Sequence, residues 1–173
     1  CIEDTEGVSI AGGTESPGHF AIGSDLGEFT GIGKKEISIV ENIETALIDS
    51  DVIIDFTTPE SSLKTLDAAV SCKKSVVIGT TGFSTEQKQN IAQAAEKIRC
   101  VFAPNMSIGV NVLFKIVKDV SKALGDAYDV EIMEAHHKFK KDAPSGTAVR
   151  LSEVIADSLD RDINKVGVYG RKG

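Results

Sequence analysis

Three short apolar segments decide the fold of this chain: VIID (residues 52–55), SVVI (75–78) and CVFA (100–103). Each has four residues, and a stretch with helical periodicity separates it from the next. A parallel sheet covered by helices on both faces has this pattern, because its strands are buried on both sides. The three segments therefore predict a doubly wound α/β domain.

Weaker signals precede and separate these segments. Strands are predicted over residues 8–11, where two glycines follow, and over 37–40. Helices are predicted from Asn42 to Ile48, over 60–72, and from a capping box at Ser84 to about Ile98.

The pattern changes near residue 107. A stripe of apolar residues predicts a long amphipathic helix over 109–124, and period-two alternation predicts a half-exposed strand over 129–134. A second amphipathic helix begins near Ser145. We therefore expect two domains, comprising residues 1–106 and 107–173.

The composition limits the possible partners and locations. The chain has 173 residues with 19 basic and 26 acidic side chains, which gives a net charge of −7. This acidic balance argues against nucleic-acid binding, and no apolar stretch approaches the roughly 20 residues that span a membrane. Three cysteines without CxxC spacing favour free thiols in the cytoplasm, and we expect no secretory leader.

Reactive side chains are densest between Glu134 and Thr147. Two of the three histidines and three lysines lie within six residues, just before a predicted helix start. Imidazoles titrate near neutrality, and the N–H groups of a helix start attract anions. The segment therefore fits proton delivery to a substrate that carries carboxylates, or else it is a solvated basic loop. We expect no metal site, because adjacent histidines point in different directions and no third ligand has motif spacing.

A second group of candidates follows the predicted strands of the first domain. The loop Gly79-Thr80-Thr81-Gly82 lies where a dinucleotide would contact backbone N–H groups, unless it only reverses the chain. Glu15 follows a glycine pair, as a ribose-binding carboxylate would, although an ordinary exposed carboxylate would look the same. Asp55 either lines the cofactor cleft or caps the next helix. A GxGxxG loop is absent from the chain.

Residues 134–147 resemble the E-A-H-H-x-x-K-x-D-A-P-S-G-T signature of the dihydrodipicolinate reductase family. Residues 54–57, 77–83 and 105–111 resemble further motifs of that family, in the family's order. The resemblance covers essentially the whole chain. In the family, an opening strand with a Gly-rich loop would stand before Cys1, and further strands and a helix would follow Gly173.

The resemblance implies a Rossmann-like doubly wound parallel sheet whose first strand is missing here, followed by part of an α+β substrate domain with an open mixed sheet. It also implies NAD(P)H-dependent reduction of dihydrodipicolinate, or 4-hydroxy-tetrahydrodipicolinate, to tetrahydrodipicolinate in lysine and diaminopimelate biosynthesis. The protein would be a homotetramer acting on a small dicarboxylate. The alternative is an inactive nucleotide-binding or regulatory module of the same fold, although such a module would be expected to lose its catalytic histidine or lysine.

The same resemblance implies roles for individual residues. His136 would donate or accept a proton and Lys140 would be a second proton donor, while His137 and the backbone of Gly146 and Thr147 would hold the substrate carboxylates. Glu15 would bind the adenosine ribose. The other implied cofactor-binding residues are Gly79, Thr80, Thr81, Ala103, Pro104, Asn105 and Met106. Ser16 stands where many relatives carry an arginine, which favours NADH over NADPH.

Overall fold

The computed structural model describes residues 2–139 and 143–170 and divides into two compact units, Cys1–Phe102 and Ala103–Gly173. This division falls four residues before the domain boundary expected after residue 106. Across the described residues, no helix is long and apolar enough to cross a membrane.

The first unit contains two parallel sheets. Strands β1 (Gly13–Thr14) and β2 (Ile39–Val40) pair with each other, whereas β3 (Val52–Asp55), β4 (Ser75–Ile78) and β5 (Cys100–Phe102) form a sheet in the order β3-β4-β5. The register sets Asp55 opposite Ile78, and Ile78 opposite Phe102. The carboxyl ends of the three strands therefore align at one edge, and the predicted α/β class is confirmed.

The four helices of the first unit begin at residues that suit helix starts. Thr58 caps α3 and Pro59 occupies its first turn, where the missing N–H of proline costs nothing. The capping box is confirmed, because Ser84 Oγ accepts from Gln87 N at 3.2 Å and Gln87 Oε1 accepts from Ser84 N at 2.8 Å. The helices are α1 (Leu26–Thr30), α2 (Ile43–Ala46), α3 (Pro59–Cys72) and α4 (Thr85–Ala95).

The core of the first unit lies where α3 and α4 pack against β4. Val76 and Ile78 of β4 are fully buried, while Leu66 of α3 and Ile91 of α4 belong to the same apolar cluster. A strand covered in this way cannot shift its register without exposing these side chains. The core therefore fixes the positions, along the edge of the sheet, at which the loops after β3 and β4 begin.

The strand predicted over residues 8–11 is not formed. The short strand β1 begins instead at Gly13, since β2 offers hydrogen-bonding partners only to Gly13, Thr14 and the backbone N–H of Glu15. Apolar alternation without a neighbouring strand does not make a ladder.

The second unit is helical in its described part, with α5 (Ile108–Leu124), α6 (Gly146–Ser158) and α7 (Ile163–Val166). The segment predicted as a strand over residues 129–134 is not assigned to a strand, because no described segment of this unit lies beside it as a partner. Instead, it lines a mainly apolar cavity of about 550 Å³ together with α5 and α6.

Truncation of the central strand should destabilise the protein. Ile78 is 0% exposed, so Ile78→Ala leaves a cavity and lowers the free energy of unfolding by about 2–5 kcal/mol. Ile48 is 71% exposed, and Ile48→Ala changes that free energy by less than about 0.5 kcal/mol. Urea titration followed by circular dichroism measures both, and equal losses would contradict the placement of the core.

Candidate functional site

The loop after β4 is shaped by a close contact with the residue after β3. A β-carbon at position 79 would overlap the Phe56 ring, so a larger residue fits there only if this exposed ring turns away. Gly79 N donates to the carbonyl oxygen of Asp55 at 2.8 Å. Gly82 has a φ of +87°, a backbone conformation that glycine adopts without strain.

The two threonines of this loop differ in burial and in the hydrogen bonds of their hydroxyls. Thr80 is buried, and its Oγ1 donates to Asp55 Oδ1 at 3.4 Å and accepts from Ser62 Oγ at 2.8 Å. Thr81 is exposed. The Thr80 hydroxyl is therefore used within the protein, whereas the Thr81 side chain is open to solvent.

Asp55 does not cap the next helix, because Thr58 does so through its Oγ1. The Asp55 carboxylate instead lies buried at the end of β3, where it accepts hydrogen bonds from Thr57 and Thr80.

Glu15 follows β1 and presents a charged oxygen. Its Oε2 accepts from the backbone N–H of Ser16 at 2.6 Å, and this bond is the main reason that the pKa of Glu15 lies below its ordinary value. The carboxylate is therefore ionised at neutral pH and can accept hydrogen bonds.

In the second unit, Glu134 connects a histidine to the start of a helix. Its Oε2 lies 3.5 Å from His136 Nδ1, and its Oε1 accepts from Ser145 N at 2.8 Å. Ser145 is buried and caps α6, since its Oγ accepts from Ala148 N at 3.1 Å. The Glu134 carboxylate thus contacts both His136 and Ser145, the residue that caps α6.

Two other predicted site residues of this unit, Asn105 and Thr147, meet at the same helix start. Thr147 Oγ1 accepts from Asn105 Nδ2 at 3.3 Å, so the 103–106 segment contacts the first turn of α6. Asn105 Oδ1 also accepts from Ser107 N at 2.9 Å. His137 is exposed, and its Nδ1 accepts from Phe139 N at 3.2 Å. Lys140 lies outside the described residues.

Sequence reasoning gave no role to Glu134, although a signal for it was present. In an extended segment, residues two positions apart point to the same side, which places Glu134 beside His136. Within residues 2–139 and 143–170, no three histidine, cysteine or acidic residues are grouped as metal ligands.

Two family models match the chain along nearly its whole length. Residues 1–106 match the model described as "Dihydrodipicolinate reductase, N-terminus". Residues 109–172 match the model described as "Dihydrodipicolinate reductase, C-terminus".

Individual proteins give the same result. The 4-hydroxy-tetrahydrodipicolinate reductase of Geotalea daltonii is 52% identical over 172 residues, and that of Syntrophus aciditrophicus is 47% identical over 172 residues. In both comparisons the match covers 99% of this chain and 64% of the relative.

A solved structure, "Dipicolinate bound Dihydrodipicolinate reductase from Paenisporosarcina sp. TG-14", is similar with a TM-score of 0.66 and 31% identity. That match covers 99% of this chain and 64% of the solved one, so the chain spans just under two thirds of its relatives' length. Two family models and these close relatives agree, and the chain belongs to the dihydrodipicolinate reductase family.

Proposed function

We propose that the protein reduces 4-hydroxy-tetrahydrodipicolinate, or the dihydrodipicolinate formed from it by loss of water, to tetrahydrodipicolinate with NAD(P)H. This step belongs to lysine and diaminopimelate biosynthesis. The observation that carries the proposal is the contact of Glu134 with both His136 and the start of α6. The contact supports the proposal because it brings an imidazole and the N-terminus of a helix next to one carboxylate.

His136 acts as the proton donor in this proposal. The reduction adds a hydride and a proton to the substrate, and a bound nicotinamide supplies the hydride. Glu134 Oε2 lies 3.5 Å from Nδ1 of His136, which leaves Nε2 to donate to the substrate. Lys140 is proposed as a second proton donor, because it occupies the lysine position of the family signature.

The start of α6 binds the substrate carboxylates. The first N–H groups of a helix have no acceptor within the helix, and the helix dipole adds partial positive charge there. Gly146 and Thr147 occupy these positions in a helix of 13 residues. His137, three residues after Glu134, adds an exposed imidazole, and Lys140 follows His137 by three positions in the signature. The proposed substrate is accordingly a dicarboxylate.

The residues at the carboxyl ends of the strands fit a nucleotide cofactor. Gly79 has no side chain of its own, Thr81 is exposed, and Glu15 carries an ionised oxygen that suits ribose hydroxyls. We propose that Gly79, Thr80 and Thr81 contact the cofactor, Thr80 through its backbone. The segment Ala103, Pro104, Asn105 and Met106 is proposed to contact it as well.

The same proposal includes the roles of the two domains, the assembly, the location and the preferred cofactor. Residues 1–106 bind the cofactor, and residues 107–173 bind substrate and take part in assembly. The working protein is a cytoplasmic homotetramer. NADH is the preferred cofactor, because Ser16 offers no cation to a 2′-phosphate.

The first test is loss of the proton donor. In the whole protein, His136→Gln should lower kcat by roughly 10²–10⁴-fold while the KM for substrate changes little. The assay follows NADH oxidation with the fresh condensation product of pyruvate and aspartate semialdehyde. His19→Gln, in the first unit, is the control and keeps the wild-type kcat.

The same assay separates the enzyme from an inactive module. Inhibition of the wild-type rate by pyridine-2,6-dicarboxylate supports the proposed reaction. Wild-type protein that binds NADH without turnover would instead identify a nucleotide-binding module. A His136→Gln variant with the wild-type rate would remove His136 from the mechanism.

A second test concerns Glu134. Glu134→Gln keeps the shape of the side chain but loses its charge, so no carboxylate remains beside Nδ1 of His136. We expect kcat to fall by about tenfold or more, as when a residue that orients a catalytic histidine is neutralised. Glu153→Gln makes the same change on α6, where Glu153 pairs with Arg150, and should leave kcat unchanged. Equal rates for the two variants would contradict the positioning of His136 by Glu134.

A third test concerns cofactor choice. Ser16→Arg places a cation beside Glu15 and should raise the ratio of kcat/KM for NADPH over NADH by about tenfold. The wild-type protein should prefer NADH. Equal wild-type kcat/KM values for the two cofactors would overturn this preference.

A further inference from the structure

The side chains of a polar cluster at the carboxyl ends of β3 and β4 have no role in the proposed function. We call Asp55, Thr57, Ser62 and Thr80 the Asp55 cluster. Asp55 is 3% exposed, Ser62 1% and Thr80 5%, whereas Thr57 is exposed. These residues come from the end of β3, the loop after it, helix α3 and the loop after β4. The cluster therefore joins four segments at the edge where the proposed cofactor site lies.

One carboxylate oxygen organises the cluster. Asp55 Oδ1 accepts from Thr57 N at 2.9 Å, from Thr57 Oγ1 at 2.7 Å and from Thr80 Oγ1 at 3.4 Å. Ser62 Oγ donates to Thr80 Oγ1 at 2.8 Å and lies 3.5 Å from Thr57 Oγ1. These bonds hold both threonine hydroxyls inward, so that the two loops keep a fixed conformation.

Packing does not explain a carboxylate at this position. Burial of an ionised group is unfavourable unless its oxygens are hydrogen-bonded, and an apolar side chain is often as stable or more stable at such a place. Asp55 Oδ2 is buried and accepts no hydrogen bond from any residue that the structure describes. Buried polar atoms that lack partners are rare and call for a specific reason.

We propose that Asp55 is a positioning residue of the cofactor site. By holding the Thr80 hydroxyl inward, its carboxylate fixes the loop of Gly79, Thr80 and Thr81 in the conformation that receives a nicotinamide dinucleotide. A loop ordered before binding loses less conformational entropy when the ligand arrives. This inference rests on the proposed function, because it takes that loop as part of the cofactor site.

The test compares variants that differ in one hydroxyl or one charge. In the whole protein, the Kd of NADH is measured by its fluorescence and the Kd of pyridine-2,6-dicarboxylate by calorimetry, together with the Tm. Thr80→Val removes the hydroxyl and nearly keeps the volume, whereas Thr80→Ser keeps the hydroxyl. Asp55→Asn removes the charge. Asp67→Asn and Ser71→Ala, at exposed positions of α3, are matched controls for Asp55→Asn and Ser62→Ala.

We expect a selective loss of cofactor affinity. Thr80→Val and Asp55→Asn should raise the Kd of NADH by about tenfold and change the Kd of the dicarboxylate less than about twofold. Ser62→Ala should raise the Kd of NADH by about threefold. Thr80→Ser should recover most of the affinity that Thr80→Val loses, and the two control variants should match the wild type.

Three results would overturn the inference. They are a lower Tm with an unchanged Kd of NADH, an equal loss for NADH and the dicarboxylate, and a Thr80→Ser variant as weak as Thr80→Val. If Asp55→Asn does not fold, the Thr80 pair and Ser62→Ala decide the question. Wild-type protein that binds no NADH would instead show failure of the proposed function itself.

Discussion

The first unit depends on the burial of one face of β4, which carries Val76 and Ile78. Val76 and Ile78 are excluded from water because α3 and α4 pack against them, and β3 and β5 complete the backbone hydrogen bonds on either side. A strand with these constraints has one stable register. The polar residues that follow β3 and β4 are consequently held side by side, although they are more than 20 positions apart in the sequence.

Segments could be predicted from the sequence where the residues or strands that they pair with could be recognised as well. The strands at 52–55 and 75–78 have the expected bounds, since each is apolar and lies beside another strand of the same kind. The capping box at Ser84 depends on residues three positions apart, and it too is present. The segments at 8–11 and 129–134 have the alternation of strands but no described neighbour to pair with. Alternation reports which side chains are apolar, whereas a strand also needs a second backbone beside it.

The site residues also differ in this way: some lie within one short motif, and others are brought together from distant positions in the sequence. The histidines and the start of α6 could be recognised because they lie within one short motif. The contact of Glu134 with Ser145 joins residues 11 positions apart and depends on how the intervening chain folds. The Asp55 cluster is still less visible in sequence, because Thr80 lies 25 positions from Asp55. Aspartate and threonine are common after strands. Asp55 and Thr80 differ from such residues in that they are buried together.

The close approach of Gly79 to Phe56 also limits how this loop can evolve. The phenylalanine ring occupies the volume that a side chain at position 79 would need. A larger residue at 79 is therefore accommodated if position 56 becomes smaller or if the exposed ring turns towards solvent. Loss of the ring at 56 lets water reach the backbone of Gly79. We therefore expect the size of residue 79 to depend on the residue at 56 across homologous sequences.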